Sequence, residues 1–252
     1  MSTTSIQLPS DGEISRAVES FWKSKAKAFD KNQMSDSPDI GNRGALTAGT
    51  HLQAFASLIE RVAAENGLGQ LPDPAEPTLS RIPGYFRESK DWDIHLRIGS
   101  QLLAAIEIKS MSSSFANNIQ NRVEEVVGTG VDFHSAFRQH AFGPTPYKVF
   151  LGYVFIVVDC PKSRRRAPNY NTNYSNFELF DDTTYIDRLN ILCKRLASER
   201  IYDEACLITT PESAVDGGAF SSVEPSTSIH SFLFALASHV RRVVLESTHA
   251  SP

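Results

Sequence analysis

Asp91-Trp-Asp-Ile-His-Leu-Arg-Ile-Gly-Ser-Gln-Leu-Leu-Ala-Ala-Ile-Glu-Ile-Lys-Ser110 is the stretch whose reading decides the fold. Ile94, Leu96 and Ile98 alternate with Asp93, His95 and Arg97. Leu102, Ala104, Ile106 and Ile108 alternate with Leu103, Ala105, Glu107 and Lys109. Alternation with period two predicts two strands of a hairpin with one face turned inward. A turn of only Gly99 and Ser100 would set Ile98 against Gln101 and Asp93 against Ile106, mixing polar and apolar residues on both faces. Adding Gln101 to the turn sets Ile98 against Leu102, Leu96 against Ala104 and Ile94 against Ile106. A one-residue slip exchanges the faces, so burial selects the second register. In it Asp93 lies across from Glu107, and Asp91 across from Lys109.

Two carboxylates on neighbouring strands repel each other and are costly to keep ionised. A hard divalent cation removes that cost, and Mg²⁺ prefers oxygen ligands. The expected metal donors are Asp93, Glu107 and the backbone carbonyl of Ile108. The expected catalytic set is Asp93, Glu107 and Lys109, for attack of a metal-activated water on a phosphodiester. Lys109 would orient that water, stabilise charge growing on the phosphate, or act as base, and the sequence leaves these open. On a solvated hairpin the same trio would form only weak ion pairs. The apolar run Leu102–Ile106 instead puts Glu107 at the end of a buried strand.

Working outward, Glu13–Phe29 has the spacing of an amphipathic helix with Ile14, Val18, Phe21 and Trp22 inward. Asp30–Gly49 reads as a loop. His51–Asn66 reads as a helix stopped by Gly67 and Gly69. Leu71–Pro83 is a proline-rich connector with a short strand at Thr78–Ile82. After the hairpin, Ser114–Ala141 carries a long helix, and Phe150–Asp159 is the continuous apolar run of a central strand. Pro161–Ser175 is a basic, polar loop. Thr184–Ser198 is helix, Ala205–Thr209 strand and Ser226–Glu246 helix. With no internal repeat and no clear linker, the chain reads as one α/β domain spanning 1–252.

The 252 residues are 41% hydrophobic, ample for a core, and contain no apolar run long enough to span a membrane. The N-terminus lacks a secretory pattern, and three cysteines are too few for a disulfide framework, so a cytoplasmic location is expected. A net charge of −4 argues against indiscriminate nucleic-acid binding. It leaves room for a specific binder whose cations gather on one side.

Two stretches supply such groups. Asn117, Asn118, Asn121 and Arg122 crowd the helix after Lys109. Asn117, Asn121, Glu124 and Glu125 share one face, and Ile119, Val123, Val126 and Val127 another. Asn and Arg make paired contacts to adenine and guanine edges and also position phosphates. Lys162, Arg164, Arg165 and Arg166, followed by Asn169, Tyr170 and Tyr174, form a cationic loop with interleaved aromatics, suited to a DNA groove or backbone. Glu60, on the helix before the hairpin, is a candidate extra acid near the metal, with a surface glutamate the better reading. His95, His134 and His140 lack metal-ligand spacing.

Asp-Trp-Asp, Ala-Ala-Ile-Glu-Ile-Lys-Ser, Ser-Phe-Ala-Asn-Asn-Ile-Gln-Asn-Arg-Val-Glu-Glu, Leu-Gly-Tyr-Val-Phe and Asp-Cys-Pro-Lys-Ser together resemble the XhoI-type type II restriction endonucleases. So do Asp39-Ile-Gly-Asn-Arg-Gly-Ala-Leu-Thr-Ala-Gly, Leu192-Cys-Lys-Arg-Leu and Arg200-Ile-Tyr-Asp-Glu-Ala. The resemblance runs from about Phe21 to Thr209. It implies the PD-(D/E)XK nuclease fold, a mixed β-sheet flanked by helices, with a catalytic core over about 51–160. Residues 161–252 would then add helices and the DNA-contacting loop. It carries Asp93, Glu107 and Lys109 over as the catalytic set, with Mg²⁺ as cofactor. It further implies cleavage of double-stranded DNA at a palindrome, CTCGAG in the best-known members, leaving 5′-phosphates. A homodimer is expected from the symmetry of such a site, and the resemblance also implies a cognate DNA methyltransferase in the host. The chain departs from the family where no proline precedes the acid, where Ile108 replaces a commoner Phe, and where His134 replaces an aromatic. Two alternatives stand beside it: a structure-selective repair nuclease of the same superfamily, and a DNA-binding protein of this fold without catalysis.

Overall fold

A computed structural model of the chain describes residues 5–33, 52–70, 81–143, 147–169 and 173–249. Most of the loop expected over Asp30–Gly49, and the first residues of the strand expected at Thr78–Ile82, lie outside these.

Helix α1 (Asp11–Gln33) starts where the Ser10 N–H donates to Glu13 Oε2 at 2.8 Å, a carboxylate folded back over the first turn. It runs past the expected end at Phe29, because nothing between Ile14 and Gln33 is Gly or Pro. Helix α2 (Gln53–Glu65) buries Phe55, Leu58, Ile59 and Val62, and packs on α1. A short hairpin follows, β1 (Arg81–Pro83) with β2 (Ser89–Asp91).

The main sheet has five strands in the order β3 (Ile94–Ile98), β4 (Gln101–Met111), β5 (Phe150–Val158), β6 (Glu204–Thr210) and β7 (Ser221–Ser222). Strands β4, β5 and β6 are parallel neighbours, and the two edge strands run antiparallel. The parallel steps need crossovers. Helix α3 (Phe115–Arg138) lies between β4 and β5, and α4 (Tyr185–Ser198) between β5 and β6. Thr184 and Asp187 form a reciprocal capping box at the start of α4. The final helix, α5 (Ile229–His249), packs on β5, β6 and α2. The mixed sheet flanked by helices is the expected architecture.

The hairpin register combines both sequence alternatives. Ile94 pairs with Ile106 and Leu96 with Ala104, as expected, but Ile98 pairs with Gln101. The turn is therefore Gly99-Ser100, with Gly99 at φ +57, the left-handed region that two-residue hairpin turns require. A bulge reconciles the two. Leu96 pairs with Ala104 and Arg97 with Leu102, so Leu103 is an extra residue on β4. The expected three-residue connection is thus corrected to a two-residue turn plus a bulge.

The expectation of one inward face on both strands is also corrected. Leu102 to Ile108 of β4 are all buried. On one face, Ile106 aligns with Gly152 of β5, over which Phe232 of α5 lies. On the other, Glu107 aligns with Tyr153, whose ring meets Tyr202, and the Tyr202 hydroxyl donates to the Val126 carbonyl of α3 at 3.1 Å. Glu107 therefore lies beneath α3, on a strand covered from both sides.

Candidate active site

Trp92 fixes the position of Asp93. Its ring is 4% exposed, packs edge-on against Phe133 of α3 at 5.6 Å, and carries the Lys90 ammonium 5.1 Å above its centroid. Truncating a ring so buried costs about 3–5 kcal/mol. Asp93 comes next, just before β3. Its Oδ2 accepts the Ile108 N–H at 2.7 Å, tying the acid across to the strand that bears Glu107 and Lys109.

Glu107 projects from β4 with its side chain 5% exposed. Lys109 Nζ forms a direct ion pair with Glu107 Oε1, and lies 4.0 Å from Asp93 Oδ2 and 3.9 Å from Glu125 Oε1 of α3. Lys90 Nζ approaches the other Glu107 oxygen to 2.9 Å. That contact lacks hydrogen-bond alignment, so Oε2 is buried without a hydrogen bond. Arg122 pairs with Glu125 on the outer side. Three carboxylates and three cations thus meet at one end of β4.

The charges perturb one another. Burial pushes the Asp93 carboxyl up from the ordinary carboxylate value and Glu107 pushes it further, against the pull of the Ile108 N–H and the lysines. Burial draws the Lys109 ammonium down, but Glu107, then Asp93 and Glu125, outweigh it and hold the group above its usual value.

Asp93, Glu107 and Lys109 converge as the sequence led one to expect, and Ile108 joins them through its N–H. Asp91 does not. It lies on β2 opposite Arg81, whose guanidinium grips it at 2.9 and 3.0 Å, so the expected pairing of Asp91 with Lys109 is corrected. Sequence reasoning missed Lys90 and Glu125 as members of the site. Glu60 is exposed on α2, as expected of a surface glutamate.

Asn117 and Asn121 are exposed on α3, while Asn118 and Arg122 are half-buried there. The basic loop leaves β5 pinned by Ser163, which is fully buried and exchanges two 2.9 Å hydrogen bonds with the Cys160 backbone. Its cations are not equivalent. Arg164 grips Asp159 at 2.5 and 2.7 Å, and Arg166 pairs with Asp182. Lys162 and Arg165 are exposed and have no carboxylate partner among the described residues. A separate groove of about 560 Å³ runs between α3 and α4, and none of the three catalytic candidates lines it.

Among the described residues no three His, Cys, Asp or Glu side chains converge as a ready-made metal cage. The donor set nevertheless suits Mg²⁺, which keeps several waters and takes one or two carboxylates. Glu107 Oε2 is a buried oxygen without a hydrogen bond, and Asp93 is the second acid beside it.

The family model of restriction endonuclease XhoI matches residues 31–222. The type II restriction enzyme BstVI of Geobacillus stearothermophilus is 32% identical over 215 residues, covering 83% of this chain and 95% of that protein. The type II restriction enzyme XhoI of Xanthomonas vasicola is 30% identical over 208 residues, covering 81% and 82%. AbrI of Azospirillum brasilense, also a type II restriction enzyme, is 35% identical over 159 residues. No solved structure matches the chain significantly. With the acid pair and lysine of the β3–β4 hairpin inside the matched span, the chain belongs to the XhoI restriction endonuclease family.

Proposed function

We propose that this chain is a type II restriction endonuclease that hydrolyses double-stranded DNA at the palindrome CTCGAG, with Mg²⁺ as cofactor and 5′-phosphate ends as products. The observation that carries the reading is the convergence of Asp93, Glu107 and Lys109 on the buried end of β4. The family and its type II relatives support the reaction class.

Asp93 and Glu107 are the carboxylates that would hold the cation, with the Ile108 carbonyl as a third oxygen. When bound, Mg²⁺ supplies Lewis-acid polarisation of the phosphate and a more acidic water. Lys109 is the group placed to hold that water or to offset charge on the phosphate. The water oxygen bonds to phosphorus, the bond to the 3′ oxygen breaks, and that oxygen leaves with a proton. Asn117, Asn118, Asn121 and Arg122 on α3 present polar groups beside the site, and Lys162, Arg164, Arg165 and Arg166 supply cations for the DNA. The chain is read as one domain over 1–252 with its core at about 51–160. A symmetric dimer fits a palindromic target. A cognate methyltransferase would protect host DNA. No described helix is long and apolar enough to cross a membrane, and the cytoplasm, where host DNA lies, is the proposed location.

Incubation of the pure protein with a sequenced plasmid and Mg²⁺, followed by end mapping, tests this. Cuts confined to CTCGAG are expected. Cuts at another sequence would displace the site assignment, and cleavage only of branched or damaged DNA would displace the reaction class.

A further inference from the structure

The β1–β2 hairpin ends in a five-residue loop, Gly84-Tyr85-Phe86-Arg87-Glu88, that shows two aromatic rings to solvent. Phe86 is 71% exposed and Tyr85 54%. They meet edge to face, with centroids 4.9 Å apart. Large rings held in water forgo the gain of burying apolar surface. A single exposed apolar residue needs no explanation, but a rigid pair at a loop tip does.

The tip is held rigid. Asp132 of α3, 4% exposed, accepts the N–H groups of Tyr85 and Phe86 on one oxygen at 2.9 and 2.7 Å. Its other oxygen lies 2.9 Å from Arg87 Nε. Gly84 closes the turn. A Cβ there would stand 2.5 Å from Arg87 Cγ, and 2.8 Å from both the Arg87 carbonyl and Asp132 Oδ2. A buried carboxylate with two backbone donors and a guanidinium is an expensive way to hold a loop that does nothing. The strand leaving this loop carries Lys90 to Glu107. Lys90 is four positions after Phe86, so their Cα atoms are at most about 14 Å apart. That bound is shorter than the width of a duplex, so the rings are near enough to the site to meet DNA whose phosphate sits at Asp93 and Glu107.

We propose that the Tyr85–Phe86 tip is a DNA-contacting wedge: Phe86 presses against bases in the groove beside the scissile phosphate, and Tyr85 braces it. Apolar side chains set against base steps in this way unstack them partially and bend the duplex. The proposal rests on the nuclease reading of the Asp93–Glu107–Lys109 site.

The test uses the full-length protein and a CTCGAG duplex carrying 2-aminopurine at successive positions, with wild type, Phe86→Ala, Phe86→Tyr and Lys109→Ala. Phe86→Ala should keep the wild-type Tm, because its ring is exposed, while KM rises roughly 5- to 150-fold, the range of a base–aromatic contact. Phe86→Tyr should restore KM. Binding by wild type and by Lys109→Ala should raise 2-aminopurine fluorescence at one position, and Phe86→Ala should lose that rise. An unchanged KM and fluorescence in Phe86→Ala would overturn the wedge. So would a variant whose sole defect is loss of a dimer in sedimentation, which would make the tip a contact between copies. Full cleavage by Lys109→Ala would instead overturn the active-site reading, leaving the fluorescence result to judge the wedge by itself.

Discussion

Lys90 Nζ lies 2.9 Å from Glu107 Oε2, so a lysine from the small hairpin stands where a cation bound by Glu107 would stand. On the proposed function, Lys90 and Mg²⁺ would compete for that one oxygen. Replacing Lys90 with Ala removes the competitor and half of the neutralisation of a buried acid. The metal-free protein should lose stability, because the buried Glu107 carboxylate keeps only Lys109 as a paired cation. Added Mg²⁺ should recover that loss, with a half-saturation several-fold below wild type. Thermal melts across a MgCl₂ titration measure both. Identical titration curves would remove Lys90 from the site.

The cations of the basic loop should divide into two kinds. Lys162 and Arg165 have no carboxylate partner among the described residues, so each is free to release a counterion on meeting phosphate. Lys162→Ala and Arg165→Ala should each lower the slope of log K against log salt by about 1. Arg164→Ala should change the slope less, because Asp159 already neutralises Arg164. Fluorescence anisotropy at several salt concentrations separates them, and equal slope changes for all three would contradict the distinction.

His239 of α5 reaches the bulge in β4. Its Nε2 lies 3.3 Å from the Leu103 carbonyl, where it donates a hydrogen bond. Burial, then Arg242, depresses its pKa below the ordinary histidine value. The unfolded chain therefore takes up the proton first as pH falls. The stability tied to neutral His239 is full above about pH 6.5 and is lost as pH drops through the lower folded-state value. His239→Gln should flatten that part of the profile of Tm between pH 7 and pH 5. A profile as steep as wild type would show that other groups set the slope.

Asp91 and Asp93 stand two residues apart yet should behave differently. Asp91 is held by Arg81 in an exposed pair, which solvent and salt screen to a small contribution. Asp91→Ala should leave the cleavage rate within a few-fold of wild type, measured on plasmid under single-turnover conditions. A loss of a thousandfold would bring Asp91 back into the site.

These contrasts mark how far the sequence could be read. The apolar run of Phe150–Val158 permits only a strand covered on both faces, and the alternation around Asp93 and Glu107 brings the two acids together. The bulge was invisible, because Leu102, Leu103, Ala104 and Ala105 are all apolar and a slip among them leaves the pattern unchanged. Lys90 escaped because Ser89-Lys90-Asp91 is too short to show periodicity, and only pairing with β1 turns it toward Glu107. Glu125 looked like any polar position on a helix. Its distance to Lys109 depends on how α3 lies across the sheet, a tertiary fact without a local signature. Asp132 was hidden for the same reason, its partners lying more than forty residues away.

Asp93, Glu107 and Lys109 are proposed to form one catalytic centre that works with Mg²⁺. The most direct measurement is the single-turnover cleavage rate of wild type, Asp93→Ala and Lys109→Ala on a CTCGAG duplex, with duplex binding and Tm measured on the same samples. Wild type should cut with Mg²⁺ and stop with EDTA, while both variants lose at least about a thousandfold in rate yet still fold and bind. Cleavage near the wild-type rate by either folded variant would contradict the account.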